Sequence, residues 1–393
     1  MGAAAEAGRP RIAALDIVRG AVMVLMAIDH VRVYSGLPPG GPAPGIFFTR
    51  WVTHFCAPAF VFLAGTAAFL HGKKLGNRAA LSKFLLARGA WLVLLELTVI
   101  RFSWTFNLDF ANYLLAGVIW AIGWSMILLA SLLWLPLGWI AGIGALLVAG
   151  HNLLDAHLPA LMQAASGSRL AWLWQILYFG GPVHLGEHGP PLVVLYVLVP
   201  WVGVMALGYA FGAVLRWEAA KRRRACLMIG LGATVLFLAL RAFNLYGDPR
   251  PWGQSPMPAA LSFLNTTKYP ASLLFLLMTL GPTIALLSLL EQARGRVAGF
   301  LTVFGRVPLF YYLLHIPLIH VLALGVSGLR EGAVNPWLFA NHPMMVPPPP
   351  DGYVWSLGLL YLVTVIAVGM LFFPCRWFAG VKQRSRSVWL SYL

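Results

Sequence analysis

Histidine and aspartate stand side by side in an apolar stretch at Met26-Ala27-Ile28-Asp29-His30. Imidazole titrates near neutrality and can take or give a proton. An ionisable residue at the centre of a bilayer costs about 2.5–3.5 kcal/mol, so it marks function or pairs internally. Two more histidines share this setting. His54 opens the stretch Thr53-His54-Phe55-Cys56-Ala57-Pro58, where Pro58 has no N–H and leaves the His54 carbonyl without its helical partner. His315 lies in Tyr311-Tyr312-Leu313-Leu314-His315-Ile316-Pro317, where Pro317 frees the Leu313 carbonyl and Tyr311 shares a helical face with His315. His320 points about 140° away from His315, so one of the two rings packs and His315 is taken as the functional one. His30, His54, His315 and Asp29 are therefore the candidate catalytic residues. An adjacent helical residue points about 100° away, so Asp29 serves His54 or Arg32 rather than His30. The alternative is structural, with Asp29 paired to Arg32 at i+3 and His30 bonded to a neighbouring helix.

Other polar residues in apolar surroundings are weighed in the same way. Asp16 and Arg19 are three apart and read as a structural pair. Arg101, Lys268 and Tyr311 are the candidate substrate contacts. Lys268 begins a helix, where a lysine can also snorkel to the interface. Glu96 and Arg101 either face one cavity or pair with each other. The histidines lack metal-ligand spacing within any helix, so no metal is expected. Lys221 and Arg222, in a basic run from Lys221 to Arg224, are weak candidates for phosphate contacts, and topology or anionic lipid explains the same run.

These residues need helices in a membrane to position them. The 393 residues are 60% hydrophobic and 10% charged, too few charges for a water-facing shell. Apolar residues come in blocks of about 20, the length that crosses a hydrocarbon core. Outer-membrane-type alternation is absent, so the expected class is an all-α polytopic bundle rather than a barrel. Ten spans are predicted, near 12–34, 51–71, 84–102, 113–131, 134–152, 192–214, 225–243, 270–290, 308–327 and 354–374. The segment 153–191 is too short and aromatic to cross and is expected at the interface or re-entrant. Most of the 28 Lys and Arg fall in the tails and the even-numbered loops. The positive-inside rule then puts both termini in the cytoplasm. The whole chain, 1–393, reads as one domain with short tails at 1–11 and 375–393.

The net charge of +16 follows from this topology, and no nucleic-acid module accompanies it. Cys56, Cys226 and Cys375 have no paired spacing and imply neither disulfides nor zinc. No nucleophile elbow, phosphate loop or dinucleotide fingerprint is present. From the residues alone, the reading is a His/Asp site in a helical bundle. A proton-coupled transporter or flippase would use the same residues, and a non-enzymatic scaffold is a third class.

The stretches Leu15-Asp16-Ile17-Val18-Arg19-Gly20, Met26 to His30 and Ala57-Pro58-Ala59-Phe60-Val61-Phe62-Leu63-Ala64-Gly65 resemble one known group. Val199 to Met205, Lys268-Tyr269-Pro270-Ala271-Ser272-Leu273 and Phe304-Gly305-Arg306-Val307-Pro308 resemble the same group. It is the bacterial membrane proteins grouped with the catalytic domain of heparan-α-glucosaminide N-acetyltransferase. The resemblance implies a multi-pass inner-membrane acyltransferase. Such an enzyme carries an acyl group from cytoplasmic acyl-CoA, acetyl-CoA first, to an amino or hydroxyl acceptor on the far side. That acceptor is a small molecule, glycan or lipid. The chain departs from the lysosomal members in two places. Residues 35–50 hold no histidine where those proteins carry a catalytic one, and His30 stands where they carry asparagine. His30 or His54 would then supply the base in a direct transfer, with an acyl-enzyme as the alternative route.

Overall fold

A computed structural model describes residues 12–184, 186, 189–254, 256–340, 347–385 and 390. Arg9, Arg11 and Arg386, used in the charge argument, lie outside them.

Helix α1 (Ala13–Tyr34) is followed by α2 (Pro44–Leu75), which passes through a 3-10 stretch at Val52–Phe55 just before Pro58. Gly76, in the left-handed region at φ 65°, ends α2, and the Asn77 side chain caps the next helix by accepting from the Ala80 N–H at 3.1 Å. That helix, α3 (residues 78–105), runs from Arg78–Leu95 through a π-helical turn at Glu96–Ile100 into Arg101–Thr105. Then come α4 (Val118–Leu132), α5 (Leu137–Ser166), α6 (Leu198–Arg216), α7 (Ala219–Ala242) and α8 (Leu273–Leu289). The last three are α9 (Arg296–Arg306), α10 (Pro308–Glu331) and α11 (Leu357–Arg384). Among the described residues, six helices are long and apolar enough to cross a membrane: α2, α5, α6, α7, α10 and α11. Two more, α4 and α8, are apolar but shorter. The remaining two predicted spans coincide with α1 and α3, whose charged residues lower their hydropathy.

The fold is mainly helical but not wholly so. Strands β1 (Leu114–Ala116), β2 (Gly181–His184) and β3 (Pro191–Val194) form a small sheet in the order β1-β3-β2. β1 pairs parallel to β3, and β2 pairs antiparallel to it. The spans expected to start at 113 and 192 therefore begin as strands, and their helices start at Val118 and Leu198. Three or four apolar residues look alike at the start of either element. The segment 153–191 resolves into the end of α5, a short helical stretch at 171–179 and the β2–β3 hairpin. Other boundaries differ as well. Residues 296–306, read as a loop, are the helix α9; α2 begins at Pro44 and α3 at Arg78; α8 begins at Leu273, so Lys268 does not begin a helix; and α11 continues past 374 to Arg384.

α1 is the central element, packed against α2, α8, α9, α10 and α11. The two ends of the chain thus share one core. Contact with α9 is backbone to backbone: a Cβ on Gly20 would lie 1.9 Å from the Leu301 carbonyl oxygen, and one on Gly305 would lie 1.9 Å from that of Asp16. Small residues allow this approach where lipid gives helices no hydrophobic reason to associate. The C-terminal end of α1 is tied to loops. Tyr34 donates its hydroxyl to the Trp104 carbonyl at 2.9 Å, Tyr353 donates to the Tyr34 carbonyl at 2.8 Å, and the Trp355 N–H donates to Ser35 at 3.0 Å.

Candidate functional site

Asp29 and His30 lie in the last two turns of α1, about 20 Å along the axis from Asp16. His30 is partly buried. Its Nδ1 lies 2.6 Å from His315 Nε2, and His315 Nδ1 lies 2.6 Å from the Tyr312 carbonyl oxygen. A carbonyl only accepts, so His315 Nδ1 carries a proton. In neutral His315 the Nε2 is then the lone-pair nitrogen, and His30 Nδ1–H is the donor to it. This order leaves Nε2 of His30 as a lone pair with no hydrogen-bond partner among the described residues. The π-helical turn in α3 precedes Trp104, which meets the His30 ring edge-on at 4.8 Å. Tyr312 closes another side at 6.4 Å.

Asp29 accepts from two guanidinium groups. Arg32 Nε donates to its Oδ1 at 3.0 Å, and Arg50, from the first helical turns of α2, donates to its Oδ2 at 2.5 Å. Arg50 also reaches Thr53 Oγ1 at 3.3 Å, and Arg32 holds the Leu37 carbonyl at 2.9 Å. The carboxylate thus fixes the start of α2 against the end of α1. His54, one turn after Arg50, is buried against Phe275 with ring centroids 5.3 Å apart, and its Nδ1 has no partner among the described residues. It makes no hydrogen bond or ring contact with His30 among the described residues. His30 and His315 therefore touch, while His54 stands beside the Asp29 half of the site.

Lys268 follows Thr267 in a tightly held turn. Asp248 accepts from the Thr267 N–H at 2.7 Å, the Thr267 hydroxyl at 2.9 Å and the Ser272 hydroxyl at 2.8 Å. The Lys268 ammonium lies over the rings of Tyr269 at 5.2 Å and Tyr196 at 6.0 Å. With 8% of its surface exposed it does not snorkel to water.

Arg101 and Glu96 sit apart from this cluster, whereas Tyr311 adjoins it through His315. Arg101 donates to the Tyr113, Asn107 and Asp109 carbonyls and to the Thr105 and Asn107 side chains, which ties down the loop after α3. Glu96 neither pairs with Arg101 nor shares its surroundings. It accepts from the Ile119 N–H at 2.9 Å and the Trp120 N–H at 3.2 Å, capping α4 from a neighbouring helix. Tyr311 stacks on His315 at 5.2 Å, yet its hydroxyl is buried without a partner in the core. His320 stacks between Phe106 and Tyr34 at 4.0 and 4.8 Å and contacts the Ser103 carbonyl, the packing role expected for one ring of the pair.

At the other end of α1, Arg19 Nη1 is 3.6 Å from Asp16 Oδ1 and donates to the Gly305 carbonyl at 3.3 Å. The expected pair exists and holds the last turn of α9. Arg222 donates to both carboxylate oxygens of Glu291 and to the Trp217 carbonyl, while Lys221 lies over the Trp217 ring. No group of three or more His, Cys, Asp or Glu able to hold a metal occurs among the described residues.

Sequence reasoning missed Arg50, Tyr196, Tyr269, Tyr312 and Trp104. Arg50 was legible only as a loop cation, although it sits four residues before His54. Tyr312 contributes a backbone carbonyl, which side-chain patterns do not reveal.

The model for the heparan-α-glucosaminide N-acetyltransferase catalytic domain matches residues 11–242. No curated protein matches the chain. The matched segment covers more than half of the sequence and includes Asp29, His30, Arg50 and His54. The chain belongs to the heparan-α-glucosaminide N-acetyltransferase catalytic family, a family of membrane acyltransferases.

Proposed function

We propose that this protein transfers an acyl group, acetyl first, from cytoplasmic acyl-CoA to an amino or hydroxyl acceptor at the outer face. The observation that carries the reading is the hydrogen-bond order from His30 through His315 to the Tyr312 carbonyl. It holds one tautomer and leaves the His30 Nε2 lone pair without a partner among the described residues, open to accept a proton. Nε2 takes the acceptor proton as the acceptor nitrogen or oxygen bonds to the thioester carbonyl carbon. The tetrahedral intermediate then collapses, the C–S bond breaks, and CoA leaves as a thiolate that takes the proton from the His30 imidazolium, which returns the base to its neutral form. The imidazolium formed on His30 is stabilised by neutral His315 and, beyond it, by the Tyr312 carbonyl. Asp29, one residue away, favours that positive charge, and the nearby Arg32, Arg50 and Lys268 oppose it.

The chain is read as ten spans with both termini cytoplasmic, in a bacterial inner membrane. The charge distribution of the loops supports this, and so does a helix on each predicted span. On this topology His30 lies toward the outer face, and Lys221 lies on the donor side. Lys221 is exposed and suits a CoA phosphate. Arg222, committed to Glu291, positions that turn.

Incubating purified protein with labelled acetyl-CoA and membrane extract tests the reading. A labelled acceptor and CoA release are expected. A solute carried unchanged into proteoliposomes, with no CoA release, would overturn it in favour of transport.

A further inference from the structure

Far from His30, α9 and α11 enclose a groove of about 370 Å³, which faces the cytoplasm on the topology proposed above. Gly299, Thr302 and Arg306 line it from α9, and Arg376, Gly380 and Gln383 from α11, each set spaced along a single helical face. Arg306 Nε is buried with no hydrogen-bond partner, and neither guanidinium makes an ion pair among the described residues. Two like charges facing one groove repel each other, and an anion held by both removes that cost. Glycines keep the groove open. A Cβ on Gly299 would meet no atom within 4 Å, and one on Gly380 would meet only Arg384 Nη2, at 3.6 Å. Arg384 Nε donates to the Gly380 carbonyl at 3.2 Å, which holds a third guanidinium at the rim.

The rest of α11 turns an apolar stripe outward. Leu362, Ile366, Met370, Phe373 and Trp377 recur at helical spacing and are all exposed. The stripe runs about 22 Å along the axis, more than half of a ~30 Å hydrocarbon core. Phe373, one turn before Arg376, and Trp377, next to it, bring the stripe to the groove, and tryptophan beside arginine suits the interface.

We propose that this groove binds an anionic phospholipid, with its phosphate held by Arg306 and Arg376 and an acyl chain along the α11 stripe. A soluble phosphate would use the arginines but not the stripe, and the junction of the two favours a lipid. Because α9 and α11 both pack on α1, a lipid in the groove stabilises the contact between the two ends of the chain. The site does not depend on acyl transfer.

The test titrates delipidated full-length protein in detergent with phosphatidylglycerol, phosphatidylcholine or inorganic phosphate at matched ionic strength. Bound lipid is counted by native mass spectrometry, and the melting temperature is followed in parallel. Wild type is expected to bind phosphatidylglycerol and melt higher, with phosphatidylcholine weaker by about 10-fold or more. The double change Arg306→Gln with Arg376→Gln should lose about 10-fold or more of the phosphatidylglycerol affinity and leave phosphatidylcholine binding unaltered. Arg376→Gln alone replaces it if the double variant does not fold. Gly299→Leu keeps every charge but fills the groove, and it should lose the lipid as well. Equal binding of the two lipids by wild type, or phosphatidylglycerol binding that survives either change, would overturn the proposal, because net positive charge alone would then explain the attraction. Stabilisation of wild type by inorganic phosphate as large as by the lipid, and absent from the arginine variant, would overturn it in favour of a free phosphate.

Discussion

The two ends of α1 carry charged residues in opposite conditions. At its N-terminal end Asp16 is 2% exposed, Arg19 binds both it and the Gly305 carbonyl, and glycines press the helices together. At its C-terminal end both oxygens of Asp29 are held by arginines, but His30 Nε2 and the Lys268 ammonium have no hydrogen-bond partner among the described residues. Burial of charge is common to both ends and so does not identify function. Unused bonding capacity beside the proposed base is what a bound acceptor could engage, whereas an unpartnered group such as the Tyr311 hydroxyl lies in the core.

The largest effect expected from breaking the closed end is at Gly305. A leucine there would drive its Cβ into the Asp16 carbonyl, so Gly305→Leu should abolish folded, monodisperse protein in detergent. Normal yield would show that α1 and α9 need no such approach. Next comes Arg19→Ala, which removes one partner of the buried Asp16 carboxylate. A loss of about 2 kcal/mol is expected in thermal or denaturant stability, below the full cost of an orphaned buried charge because Arg19 is itself partly exposed. Acyl transfer per folded molecule should persist. If stability stayed at the wild-type level and transfer vanished, Arg19 would belong to the site and the contrast between the ends would collapse.

The smallest effect is at Glu96, a closed polar site on another helix. Glu96→Gln keeps an oxygen for the Ile119 and Trp120 N–H groups and loses only the charge at the α4 N-terminus. About 0.3–1 kcal/mol is expected, measured as a small fall in melting temperature. A loss of several kcal/mol would mean that the carboxylate has a further role.

The same contrast explains what the sequence made legible. Ten apolar blocks lie on ten helices because hydropathy is a property of segments. His315 stood out because Tyr311 and Pro317 flank it on a helix, and Asp16 with Arg19 because i,i+3 pairing is local. Long-range choices were not legible. Glu96 and Arg101 were expected to share a cavity or pair, but one caps α4 and the other binds the 105–113 loop. Both partners are set by tertiary folding. The α9 helix was hidden because Arg296 and Arg306 bracket a short sequence that does not resemble a span. The proton order in the His30–His315 pair depends on a backbone carbonyl and could be read only from coordinates.

The account rests on His30 as the base. The direct measurement is the acyl-transfer rate of His30→Ala against wild type, normalised to folded protein. General-base removal predicts a fall of about 10²–10⁴-fold with folded yield near wild type. An unchanged rate would contradict it and leave His54 as the remaining candidate.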